Sequence, residues 1–260
     1  MKIFKLQIAF YFLFFSNFLY AEKITIAAAS DLKFALDEIS ALFIKKNPGQ
    51  KIDIIYGSSG KAFTQIQQGA PFDLYFSADI NYPKELFEKG FAHSPVKLYA
   101  IGRIVLWSNV LDASKITLND LAGPAITHIA IANPQHAPYG RRAEEALRAT
   151  ALWDKVKAKL VYGENIAQAA QFVQSKNAEV GIIALSLAIS PQFIKDGGYW
   201  PIPTDLHSPL EQGFIITKRA ANNSLAKNFS TFMESKLARK IMIKYGFVLP
   251  SETTNATLGK

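Results

Sequence analysis

The chain has 260 residues, a formal charge of +8, four histidines and no cysteine. With 49% apolar and 19% charged residues it has the balance of a globular protein, which excludes a disordered one. The missing cysteine excludes a disulfide framework, a thiolate metal site, a cysteine nucleophile and a lipidated N-terminal cysteine, and suits a chain that visits an oxidising compartment without using it.

Met1–Ala21 reads as a secretory signal peptide. Lys2 and Lys5 give a positive start, Leu6–Phe15 is apolar apart from Gln7, Ser16 and Asn17 break the run, and Ala21 offers a small residue for cleavage. Leu19 is bulky for its place two residues earlier. A membrane anchor needs about 18–20 apolar residues, and this run is shorter. Cleavage after Ala21 and export are therefore expected. Lys2 and Lys5 leave with the peptide. The remaining positive charge is scattered, without a basic block, so neither nucleic acid nor a lipid surface is expected as a partner.

Beyond it, Lys23–Ala29 reads as a buried strand, followed by Ser30 and Asp31 as candidate N-caps and apolar residues at helical spacing to Phe43. Lys51–Tyr56 is strand-like, Gly57-Ser58-Ser59-Gly60 a tight loop, and the following helix closes at Gly69. A strand at Asp73–Ser77 and a short helix at Pro83–Lys89 repeat the unit. The alternation resumes after Leu98–Trp107. A short capped helix is expected at Thr117–Leu121, strands at Ile129–Ala132, Leu160–Tyr162, Val180–Leu185 and Phe214–Thr217, and helices at Arg141–Thr150, Ile166–Ser175 and Ala226–Met242. Alternating strands and helices predict an α/β protein with mostly parallel sheet. One doubly wound domain and two lobes both satisfy the pattern. Two lobes need the chain to cross near Leu98–Val105 and again near Pro209–Phe214.

Four strand-to-helix turns carry the candidate chemistry: Ala29-Ser30-Asp31, Gly57-Ser58-Ser59-Gly60, Ala137-Pro138-Tyr139-Gly140 and Glu164-Asn165-Ile166. Such turns lie at the carboxyl ends of strands, where α/β sheets bind ligands. Helix N-termini present unpaired N–H groups, and several aimed at one point hold an anion without a charged side chain. Taken singly, each serine reads better as a cap.

Enzyme signatures are weak. Ser58-Ser59-Gly60-Lys61 fits the S-x-x-K pattern of serine acylases, but so do Ser30–Lys33, Ser94–Lys97 and Ser224–Lys227. A phosphate-binding P-loop fails because Ala62 follows Lys61. The G-x-S-x-G elbow fails because Lys61 stands two residues after Ser59. His93, His128, His136 and His207 have no metal-ligand spacing, and His136 reads as a surface residue. Glu144 and Glu145 diverge on a helix and read as solvated. Arg141 and Arg142 open that helix, and one of them could reach an anion.

The ordered set KITIAAASDL, YGSSGK, GAPFDLYFSAD, NPQHAPYG, GENIAQA, LEQGFIIT and KYGFVLP resembles the periplasmic molybdate-binding proteins of ABC importers over nearly the whole chain after Ala21. The resemblance implies a two-lobed periplasmic binding protein of the second type with a two-strand hinge. Lobe one would comprise residues 22–99 and 213–260, and lobe two residues 100–212. It implies molybdate or tungstate held as an oxyanion, with no direct protein–metal bond and no cofactor, by a monomer that delivers it to a permease in the inner membrane. By position, Ser30 and Ser59 would give hydroxyl and N–H donors, Tyr139 and Ile166 further donors, and Asp31 a further N–H. Ala184 stands where many members carry a tyrosine, so Tyr139 is expected to supply the relocated hydroxyl. The Asp31 carboxylate is expected to turn away from the anion and cap its helix. Against this stand a receptor for sulfate or another small anion on the same scaffold, a secreted serine hydrolase using Ser59, and a sensory ligand-binding domain.

Overall fold

A computed structural model describes residues 22–250, so the expected signal peptide lies outside the described residues. In chain order it contains β1 (Lys23–Ala29), α1 (Lys33–Lys46), β2 (Lys51–Gly57), α2 (Ser59–Gln67), β3 (Leu74–Ser77), α3 (Asn81–Glu88), β4 (Lys97–Gly102) and β5 (Ile104–Ser108). There follow β6 (Ile129–Ala132), α4 (Pro138–Ala149), α5 (Trp153–Val156), β7 (Leu160–Gly163), α6 (Ile166–Gln174), β8 (Val180–Ala184) and α7 (Leu185–Ala188). The chain closes with β9 (Gly198–Pro201), β10 (Leu210–Ile216), α8 (Ser224–Met233) and α9 (Lys236–Lys244).

The strands form two five-stranded sheets, ordered β2-β1-β3-β10-β4 and β7-β6-β8-β5-β9. The chain passes from the first to the second at Arg103, between β4 and β5, and returns between β9 and β10. In each sheet the first strand after a crossing is inserted antiparallel: β5 between β8 and β9, and β10 between β3 and β4. The remaining ladders, β1 with β2 and β3 and β6 with β7 and β8, are parallel. The sheets are therefore mixed, and the antiparallel share comes from the crossings rather than from local strand–helix alternation.

Strand periodicity places the cores. Ile24, Ile26 and Ala28 of β1 face the layer of α1, α8 and α9, packing with Leu36, Phe43 and Phe229. Ala27 points to the opposite layer with Ala62, Leu86 and Ile215. Phe76 of β3 and Phe214 of β10 stack at 4.6 Å across their antiparallel pairing. A third core surrounds the second sheet and takes in Ala29 and Ala78 from the ends of first-sheet strands, so the two lobes touch through small apolar residues.

Two local expectations change. The expected closing helix Ala226–Met242 is two helices, because Ser235 leaves the helical conformation and its side chain caps α9 by accepting from the Ala238 N–H. Neither Ser30 nor Asp31 caps the helix after β1: a short 3-10 turn, Ser30–Leu32, leads into α1 without any side-chain cap.

Candidate functional site

The four turns meet between the lobes. Ala29, Ser30 and Asp31 after β1, Gly57, Ser58 and Ser59 after β2, Ala137, Pro138 and Tyr139 after β6, and Ile166 after β7 line one small pocket, completed by Ala78. It is small, with about 190 Å³ of space between its atoms, part of it open to solvent. Among the described residues that line it, Asp31 gives the only carboxylate, and none is a lysine or arginine.

The donors follow from helix geometry. Ser59 and Ile166 are the first residues of α2 and α6, and Tyr139 is the second of α4. Their N–H groups therefore have no acceptor within their own helix. The neighbouring first-turn donors are already taken. The Gly60 N–H donates to the His136 carbonyl at 2.9 Å and that of Gly140 to the Ala137 carbonyl at 3.0 Å. The N–H groups of Ala167 and Gln168 donate to Asn165 Oδ1 at 3.0 and 3.1 Å. Ser59, Tyr139 and Ile166 are thus left over by their helices, and they line the pocket together with Ser30 and Asp31. Ser59 Oγ accepts from the Ala78 N–H at 3.0 Å, and its own proton remains to donate.

Other side chains reach from lobe to lobe. Ser30 Oγ donates to Asn165 Oδ1 at 3.0 Å and accepts from the Ala167 N–H at 3.2 Å. Tyr139 does not aim its hydroxyl at the pocket as expected: it donates to Asp31 Oδ2 at 2.9 Å and accepts from Gln212 Nε2 at 3.1 Å. Asp31 likewise does not turn away to cap a helix. It is 1% exposed, and its Oδ2 also accepts from Gln212 Nε2 at 2.8 Å. Gln212 Oε1 in turn accepts from Tyr99 at 2.8 Å. Once the lobes meet, the donors nearest the buried carboxylate are Tyr139 on the facing lobe and Gln212 on β10 of Asp31's own sheet. Burial pushes the Asp31 carboxyl up to about 6, although both donors pull it down. Gly102 leaves room for this cluster, since a Cβ there would stand 2.4 Å from the Tyr139 hydroxyl oxygen.

His136 is a bridging residue rather than a surface one. Its Nδ1 lies 2.9 Å from Ser58 Oγ, and burial lowers its pKa. A serine beside a histidine invites comparison with a hydrolase. However, Ser58 Oγ also caps the Lys61 N–H. Glu164 stands 3.7 Å from His136 Nε2, too far to orient the ring by a hydrogen bond, and pairs instead with Lys61. Ser59, the serine weighed as a nucleophile, has its hydroxyl on the Ala78 N–H. Arg141 does not reach the pocket: it pairs with Asp79 of lobe one at 2.7 Å and lies over the Tyr82 ring. Arg142 holds Glu145 of its own helix.

Sequence reasoning missed Asn165, Gln212 and His136 as lobe-bridging residues. Asn165 and His136 carried a partial signal, because Asn165 sits in a turn singled out for chemistry and His136 directly precedes another. Gln212 carried none.

A family model described as bacterial extracellular solute-binding protein matches residues 24–248. The molybdate-binding protein ModA of Rhodobacter capsulatus is 37% identical over 234 residues, covering 88% of this chain and 89% of that one. ModA of Azotobacter vinelandii is 33% identical over 233 residues, covering 88% and 91%. Among solved structures, the Azotobacter vinelandii periplasmic molybdate-binding protein matches with a TM-score of 0.80 at 34% identity, over 88% of this chain and 100% of that one.

Proposed function

Since the chain belongs to the bacterial extracellular solute-binding proteins, and among them to the molybdate-binding ones, we propose that it captures molybdate or tungstate between its lobes and presents the ion to an ABC transporter permease. It works in the periplasm as a monomer, after removal of residues 1–21, and does no chemistry on its cargo. The molybdenum is cargo carried as an oxyanion, and no resident cofactor takes part.

The observation that carries this reading is the convergence of leftover first-turn N–H groups from α2, α4 and α6 on one small pocket. Ser59 gives its N–H and hydroxyl, Tyr139 and Ile166 their N–H groups, and Asp31 a backbone N–H. Ser30 adds its hydroxyl by releasing Asn165. A fully ionised tetrahedral dianion has only acceptors and fits such a set. Charge-assisted hydrogen bonds contribute roughly 1.5–3 kcal/mol each, and several together offset dehydration of the dianion. Tyr139 acts through its backbone, while its hydroxyl fastens the lobes.

Titration calorimetry of residues 22–260 with molybdate, tungstate, sulfate and phosphate at one pH tests the assignment. Tight one-to-one binding of the first two is expected, with sulfate and phosphate silent. Sulfate binding alone would move the protein to the sulfate-receptor reading. Ser59→Ala is expected to weaken molybdate binding at least tenfold, from one lost charge-assisted bond of ~1.5 kcal/mol or more. Ser224→Ala, on an exposed contact to Glu22, should leave it unchanged. Equal affinities of the two variants would overturn the role given to Ser59.

A further inference from the structure

Among the described residues, one carboxylate stands in the lining of the pocket. Asp31 lines it, and the two carboxylate oxygens are treated differently. Oδ2 accepts two hydrogen bonds, from Tyr139 and Gln212. Oδ1 is buried and accepts no hydrogen bond of regular geometry from the described residues, although the Asp31 and Leu32 N–H groups stand near enough to the carboxylate to favour its charge. A poorly partnered carboxylate oxygen on a residue that lines an anion site is unfavourable twice over: it is desolvated, and it repels the ligand. The residue cannot swing away easily, because Ser186 Oγ holds its backbone carbonyl at 2.8 Å and Tyr139 and Gln212 hold Oδ2.

We propose that Asp31 takes up one proton from solvent as the oxyanion binds, so that Oδ1 changes from an acceptor into a donor to the bound dianion. This rests on the anion-receptor reading above. With Oδ2 already accepting two bonds, the proton belongs on Oδ1, and the carboxylic acid then donates where the anion needs a donor. The groups packed around it do not compete for that proton. Tyr139 from α4 and Tyr99 from β4 are held protonated, because burial raises both well above their ordinary value. Gln212 from β10 and Ser186 from α7 do not titrate, nor do the hydroxyls of Ser30 and Ser59. Between the lobes, Glu164 pairs with Lys61 and Asp79 with Arg141, and His136 contacts Ser58. Burial keeps His136 neutral near pH 7. The carboxyl already stands near pH 6 with no anion beside it, and a dianion pushes it further in the same direction.

The test is calorimetric titration of the wild-type protein with molybdate at pH 7.0 in two buffers of different ionisation enthalpy, repeated at pH 8. The expected result is an uptake close to one proton per ion and an apparent Kd that rises close to tenfold between the two pH values. Asp31→Asn is expected to bind without linked uptake. Tight binding with the same heat in both buffers overturns the inference and leaves the receptor reading standing. So does an uptake that persists in Asp31→Asn, which would assign the proton to His136. No heat with molybdate in either buffer overturns the receptor reading and the inference with it. The wild-type proton count decides the matter even if Asp31→Asn fails to fold.

Discussion

Asp31 holds a carboxylate where the fold disfavours its charge, and this has a consequence for stability apart from any ligand. Its carboxyl is raised to about 6 in the folded protein, against about 3.9 when unfolded. The folded state therefore binds the proton more readily, and stability falls as pH rises from about 4 through 6. The full penalty, about 3 kcal/mol at about 1.4 kcal/mol per pH unit, is present above that window. Asp31→Asn keeps an acceptor for Tyr139 and Gln212 and removes the charge. Urea unfolding of the ligand-free variant is expected to show a gain of that order at pH 8 and almost none at pH 3.5. An equal effect at both pH values would mean that the charge is not the cause. Much of the site was legible at this scale. Ser30, Ser59, Tyr139 and Ile166 each follow a strand and open a helical pattern, which is a local signal. What the side chains do was not legible, because their partners are remote: Ser30 meets Asn165 across 135 residues and Gln212 meets Asp31 across 181. Only the closed fold reveals that the Tyr139 hydroxyl is spent on a carboxylate.

Helix starts are the working elements, and their placement depends on close backbone approach. Gly140, in the first turn of α4, is the tightest case. A Cβ there would stand 2.0 Å from the Ala132 carbonyl oxygen at the end of β6. Backbone cannot yield as a side-chain tip can, so Gly140→Ala must push the start of α4 off the sheet. Overpacking of this kind costs roughly 1–3 kcal/mol or more. With about 2–4 °C per kcal/mol for a chain of this size, the melting temperature is expected to fall by about 5 °C, and anion binding to weaken because the Tyr139 N–H moves with the helix. A variant that melts and binds like the wild type would show that α4 is not anchored there. The alternation of strands and helices was readable from hydrophobic spacing, and the family resemblance carried by the ordered motifs holds. The break between α8 and α9 was hidden, because Leu237 and Ile241 continue the apolar period across Ser235 and mask its cap. The antiparallel strands were hidden for a different reason: strand direction after a crossing is set by which sheet the chain enters, and no local pattern records that.

At the scale of the whole molecule the lobes are joined by small apolar residues, by hydrogen bonds and by ion pairs. Lys61 with Glu164 and Arg141 with Asp79 flank the pocket, and such partly exposed pairs contribute about 0–1 kcal/mol each. They bias closure without locking it. Arg141→Ala is expected to enlarge the radius of gyration of the ligand-free protein in X-ray scattering, to lose that enlargement when molybdate is added, and to change the Kd only a few-fold. An unchanged radius would show that the ion pair does not hold the lobes together. The insertion of β10 between β3 and β4 bears on how the molecule comes into being. A chain emerging N-terminus first lays down β1, β2 and β3 early, yet the edge of β3 has no neighbour until residues 210–216 arrive. The second sheet, made wholly of strands between Ile104 and Pro201, can close sooner. The half of the protein that is synthesised first is thus completed last, and the open flank of β3 sets the interval in which a nascent chain is exposed to mispairing.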